Sequence, residues 1–264
     1  MEYMLQSVQM SRWFICRSAA LFTLLIFWSV VGNAAEVKVA AASDLSFAIK
    51  DIISQFEKAT GNTVKLSLGS SGNFYAQISN GAPFDVLLSA DADYPQKLLA
   101  DGKAEKGTVL SYAIGKIVLW VPNTSTLDLP KLGLKALNDP SIHKISIANP
   151  EHAPYGKAAV AAMQHGGIYN SVQSKLVLGE NISQAAQFVQ SGAADAGIVA
   201  LSLAVSDAMK NSGRYWEIPL DTYPRLTQTA VLIKGAGPAA RAFLDWLRRP
   251  ESRQTFSRFG FGLP

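Results

Sequence analysis

Val37-Lys38-Val39-Ala40-Ala41-Ala42-Ser43-Asp44-Leu45 is the stretch on which the fold turns. An apolar run of strand length ends in small residues, and a different pattern then begins. Leu45, Ala48, Ile49, Ile52, Ile53 and Phe56 recur at steps of three and four, and Gly61 follows as a helix stop. That period puts the apolar side chains on one helical face. A second apolar run, Thr63 to Leu68, comes next. Strand, helix and strand within about 30 residues make a βαβ unit, whose strands pair in parallel.

The alternation continues through the chain. Further strand-like runs are Phe84 to Ser89, Lys116 to Val121, Lys144 to Ala148, Ser174 to Leu178, Ala196 to Ala200 and Thr229 to Lys234. Helical segments include Phe74 to Ser79 before Gly81, Ser183 to Ser191 before Gly192, Pro238 to Arg248, and Glu251 to Phe259 stopped by Gly260. Near-continuous apolar strands between amphipathic helices predict an α/β fold with mixed, mainly parallel sheets. The length exceeds what one such sheet needs, so two lobes are expected with a ligand cleft between them. Residues 35–114 with 226–264 form lobe 1 in this reading, and residues 115–225 form lobe 2. The hinge crossings fall near 111–115 and 220–226.

Ahead of all this, Arg12 and Arg17 precede an uncharged run from Ser18 to Val31, followed by the small residues Gly32-Asn33-Ala34-Ala35. The run is too short to span a bilayer and has the form of a signal peptide, so residues 1–34 are expected to be cleaved after Ala34 or Ala35. Met10 offers an alternative start. The single cysteine, Cys16, lies in this leader, so the exported chain is expected to contain no disulfide, thiolate metal site or cysteine nucleophile. Of 264 residues, 48% are hydrophobic and 17% charged, with a formal charge of +4. Losing the leader lowers that to +3, because it carries two basic residues and one acidic residue. No basic block exists to grip nucleic acid or an anionic membrane.

Ligands of open α/β sheets bind beyond the carboxyl ends of strands. The first such turn is Ala41-Ala42-Ser43-Asp44-Leu45, where the Ser43 hydroxyl can cap the following helix or face an anion. The second, Leu68-Gly69-Ser70-Ser71-Gly72-Asn73, can turn several N–H groups outward together. Asn149-Pro150-Glu151-His152-Ala153-Pro154-Tyr155-Gly156 and Gly179-Glu180-Asn181-Ile182-Ser183 complete four helix starts, two from each lobe. None carries Lys or Arg before Lys157, so an anion here is held by neutral donors. No G-x-S-x-G, H-E-x-x-H or P-loop motif occurs, and His143, His152 and His165 lack metal-ligand spacing. The enzyme alternative is an exported serine hydrolase pairing Ser71 with His152. Asp91 and Asp93 admit a cation, although a solvated helix start explains them as well.

Taken together, these turns, with Gly81-Ala-Pro-Phe-Asp-Val-Leu-Leu-Ser-Ala-Asp91, Ala196-Gly-Ile-Val199 and Arg258-Phe-Gly-Phe261, resemble the periplasmic molybdate-binding proteins of ABC transporters over essentially the whole exported chain. The resemblance implies a type II periplasmic-binding fold, periplasmic location, molybdate or tungstate as ligand, no cofactor and no catalysis. It also implies a membrane permease as partner and a monomeric receptor. Its anion contacts fall on Ser43, Ser71, Tyr155 and Ile182, the last through its backbone N–H, with the backbone N–H of Asp44 as a weaker candidate. Molybdenum enters only as the oxyanion, with no direct bond from protein to metal. In one subgroup a tyrosine hydroxyl comes from the position of Ala200, so here the Tyr155 hydroxyl is expected to replace it. The Asp44 side chain is expected to support the helix start. A receptor for sulfate or phosphate is the alternative on the same scaffold.

Overall fold

In the computed structural model, which describes residues 34–264, Glu36–Ala42 (β1) and Thr63–Gly69 (β2) pair in parallel along their whole length. The expected leader lies outside the described residues but for Ala34. Between β1 and β2 runs the helix Ala48–Thr60, burying Ala48, Ile49, Ile52, Ile53 and Phe56. Gly61 closes it at φ 73°, a left-handed cap that favours glycine. The helix begins later than its period suggests, because Ser43–Leu45 first makes a separate 3-10 turn.

The remaining strands are Val86–Ser89 (β3), Leu110–Gly115 (β4), Ile117–Pro122 (β5), Ile145–Ala148 (β6), Leu176–Gly179 (β7), Ala196–Ala200 (β8), Gly213–Glu217 (β9) and Leu226–Leu232 (β10). They form two five-stranded sheets, ordered β2-β1-β3-β10-β4 and β7-β6-β8-β5-β9. Within each sheet one strand is reversed. β10 is antiparallel to β3 and β4, and β5 to β8 and β9. Each reversed strand is the first that the chain builds after crossing from the other sheet. Lys116 alone separates β4 from β5, and Ile117 enters beside Ala200, the last residue of β8. The carboxyl ends of the parallel strands in both sheets therefore meet at the crossings.

Two elements differ from the sequence expectation. Ser111 to Gly115 is not a connection but most of β4, a strand whose Ser and Gly disguise its buried Tyr112, Ala113 and Ile114. β9 is a short, half-exposed edge strand with no apolar run to announce it. The first sheet packs under an aromatic cluster in which Phe56 meets Phe243 and Trp246 edge-on at 5.2 and 5.7 Å. These rings belong to the helices Ala48–Thr60 and Pro238–Trp246. A separate core, including Trp120, Ile147, Met163 and Val189, stiffens the second sheet. Two rigid halves thus present their strand ends to one another.

Candidate anion-binding site

The turns after β1, β2, β6 and β7 converge on one cavity, walled by Ser43 and Asp44, Gly69 to Ser71, Ala153 to Tyr155, and Ile182, with Ala90 after β3. Ser43, Ser71, Tyr155 and Ile182 are all brought together there and are all buried. No Lys, Arg or His is among the described residues of the wall. The second turn opens the helix Ser71–Ser79, the third Pro154–His165 and the fourth Ile182–Gln190. First-turn N–H groups have no partner inside their own helix. Among the described residues those of Ser71, Tyr155 and Ile182 also find no acceptor elsewhere.

The hydroxyls are held by specific contacts. Ser71 Oγ accepts the Ala90 N–H at 2.9 Å, which leaves its own proton to donate. Ser43 lies inside the 3-10 turn, one place after the N-cap Ala42, so its hydroxyl cannot cap that turn. It reaches across the cleft instead, accepting the Ser183 N–H at 3.2 Å and donating to Asn181 Oδ1 at 3.0 Å. Ser183 Oγ returns a bond to the Ser43 carbonyl at 2.8 Å.

Asp44 does more than support the turn start, where the Asp44 and Leu45 backbone N–H groups lie against its carboxyl. Its carboxylate is buried, and Oδ2 accepts from the Tyr155 hydroxyl at 2.9 Å and from Gln228 Nε2 at 2.8 Å. Gln228 in turn accepts from the Tyr112 hydroxyl at 3.2 Å. Burial pushes the Asp44 carboxyl up to about 7, against the opposing effect of hydrogen bonds from Tyr155, the Asp44 backbone N–H, Gln228 and the Leu45 backbone N–H. The same burial raises the Tyr155 hydroxyl well above its ordinary value, with the adjacent Asp44 adding to the effect. The Tyr155 hydroxyl, expected to replace the donor missing at Ala200, here gives its one proton to Asp44. Tyr155 offers the cavity its backbone N–H.

Tyr155→Phe is accordingly expected to weaken anion binding only about fivefold, the value of one lost hydrogen bond of about 1 kcal/mol. A calorimetric loss of two orders of magnitude would instead place the hydroxyl on the anion.

The Ser71–His152 pair is not assembled. His152 Nδ1 lies 3.0 Å from Ser70 Oγ, and its carbonyl accepts the Gly72 N–H at 2.9 Å. Asp91 Oδ1 accepts from the Ser89 hydroxyl and from the Tyr94 N–H, as a helix-start residue does. Sequence reasoning passed over Gln228, Ser183 and Ser202, whose hydroxyl donates to the Asp44 carbonyl at 2.7 Å. It also passed over Gly72, whose missing side chain admits the His152 backbone. Gly72 and Ser183 stand in turns that the sequence marked, whereas Gln228 left a trace only as an amide beside the apolar run that became β10.

Two α/β lobes, facing strand ends and a buried cavity rimmed by unused neutral donors define a solute-binding protein of the kind that closes on a small anion. The chain belongs to the bacterial extracellular solute-binding protein family, whose model matches residues 37–262. It is 43% identical to the molybdate-binding protein ModA of Azotobacter vinelandii, over 88% of this chain and 91% of that protein. Identity to ModA of Rhodobacter capsulatus is 38%, over 92% and 94%. The solved Azotobacter vinelandii periplasmic molybdate-binding protein superposes with a TM-score of 0.81 at 36% identity, covering 86% of this chain and 99% of that one.

Proposed function

We propose that this chain is the periplasmic receptor of an ABC importer, capturing molybdate or tungstate between its lobes and delivering it to a membrane permease. The observation that carries the reading is the convergence of three unpartnered N–H groups, from Ser71, Tyr155 and Ile182, on one buried cavity with the Ser43 and Ser71 hydroxyls. Each contact is to an anion oxygen, so molybdenum meets no protein atom directly. When Ser43 turns its proton from Asn181 to the anion, Asn181 Oδ1 still accepts the Gln184 N–H at 3.1 Å. The helix start thus stays capped.

The lobes are residues 35–114 with 226–264, and 115–225, moving about Lys116 and the segment between β9 and β10. Anion contacts made from both sides shift the population towards the closed form. The protein acts as an exported monomer and turns nothing over.

Selectivity follows from size. A smaller oxyanion leaves a buried donor unmet at a cost of about 1 to 3 kcal/mol each. Calorimetry is expected to show molybdate and tungstate binding at least about tenfold tighter than sulfate. X-ray scattering is expected to show compaction on adding molybdate. Equal sulfate affinity overturns the choice of ligand in favour of a general oxyanion receptor, and absence of compaction overturns the closing mechanism.

A further inference from the structure

Among the described residues Asp44 is the one carboxylate in the cavity wall, and it is 1% exposed. A receptor for a dianion has no evident use for a third negative charge there. The groups that face it are Tyr155 from the helix start after β6, Tyr112 on β4 and Gln228 on β10, with Tyr223 beyond Tyr155. The Ser202 hydroxyl meets its carbonyl rather than its carboxylate. Among the described residues no Lys, Arg or His hydrogen-bonds to it or pairs with it. Tyr112 and Tyr155 are both held neutral by burial, which raises their hydroxyls well above the ordinary value. Nothing in the cluster except Asp44 itself can relieve the repulsion.

The two carboxylate oxygens are unequal. Oδ2 takes both side-chain hydrogen bonds, whereas Oδ1 is buried with no side-chain partner, the Asp44 and Leu45 backbone N–H groups being the remaining donors beside the carboxyl. A proton on Oδ1 leaves both existing bonds intact and removes the charge.

We propose that Asp44 serves the anion-bound protein as a neutral carboxylic acid protonated on Oδ1, so that capture of a dianion takes up one proton. The inference rests on the anion-receptor reading above and adds to it a coupled ion. Burial already lifts this carboxyl to about 7. A dianion alongside raises it further, because like charge disfavours the ionised form. Between the ligand-free and ligand-bound values each unit of pH therefore costs about tenfold in affinity, and below that window affinity is flat.

The test is calorimetric titration of the purified protein with molybdate at about pH 8, in buffers of differing ionisation heat, and a series of dissociation constants from about pH 6 to 9. Uptake close to one proton and a dissociation constant rising about tenfold per unit above about pH 7 are expected. Asp44→Asn keeps an oxygen for Tyr155 and Gln228 but cannot titrate. It is expected to bind with no proton uptake and no slope, and more tightly than the parent at about pH 9. Should that variant not fold, the parent measurements decide alone. Tight molybdate binding by the parent without uptake and with a flat profile overturns the proton coupling only, as does uptake that persists in Asp44→Asn. Absence of molybdate binding by the parent overturns the receptor reading, and the coupling with it.

Discussion

Gly72→Ala is expected to remove most of the anion affinity while leaving the protein folded. Gly72 sits in the first turn of Ser71–Ser79, and a Cβ built there falls 2.6 Å from the His152 carbonyl oxygen and 2.9 Å from its Cα. His152 belongs to the turn after β6, on the opposite lobe, and its backbone cannot yield without moving that turn. The Gly72 N–H bonds to the same carbonyl, and Ser70 and Asn73 on either side bond to the His152 ring and to Glu180. An added methyl is therefore a wedge at a close backbone contact across the cleft. If it holds the lobes apart, the Tyr155 and Ile182 N–H groups no longer reach an anion seated on Ser43 and Ser71. Two hydrogen bonds to a charged group are worth about 3 to 6 kcal/mol together, or about 10² to 10⁴ in affinity. Stability changes little, because alanine is the better helix former while the end of the Tyr94 side chain, its oxygen also 2.6 Å from the new Cβ, must swing aside. Calorimetry should show the loss, scattering with molybdate should show no compaction, and the ligand-free Tm should stay within a few degrees. Parental affinity in this variant would mean that closure does not pass through the Gly72–His152 contact.

Much of this architecture was legible in the chain because two periods alternate cleanly. Apolar runs ending in Ala-Ala-Ser-Asp or Gly-Ser-Ser-Gly mark strand ends, and the three-four spacing marks the helices that cover them. The four turns could be placed in one cleft from that alone, since carboxyl ends of parallel strands lie together. What was hidden depends on angular phase within a turn. Whether Ser43 precedes its turn or lies inside it decides whether its hydroxyl caps its own backbone or reaches Ser183 on the other lobe, and one residue of 3-10 geometry settles that. The same one-residue distinction gives Ser71 to the Ala90 N–H and Ser70 to His152. The Asp44–Tyr155–Gln228 cluster joins three elements more than 70 positions apart in the chain. No local pattern in sequence encodes such a meeting. β4 was missed for a different reason, because Gly115 reads as a loop residue although it serves close approach. A Cβ there would fall 2.3 Å from the Tyr155 hydroxyl.

Ile182→Pro deletes a single donor without disturbing the element that carries it. Ile182 is the first residue of Ile182–Gln190, a position where proline is favoured because its φ suits a helix and its N–H is unused by the ladder. The preceding residue must be extended, and Asn181 already is, at φ −151° and ψ 175°. The cap survives, since the Gln184 N–H still donates to Asn181 Oδ1 and the Ser183 N–H to Ser43 Oγ. What disappears is the N–H facing the cavity and part of a buried side chain. Ile182→Val serves as the control, because it trims the side chain and keeps the donor. A hydrogen bond to a charged partner is worth about 1.5 to 3 kcal/mol, so proline is expected to weaken molybdate binding about 10- to 150-fold while valine stays within about threefold. Equal affinities in the two variants would show that the Ile182 side chain alone matters. A loss confined to proline instead places a backbone amide in the anion's coordination, and it does so with no Lys, Arg or His among the described residues of the cavity wall that could account for it.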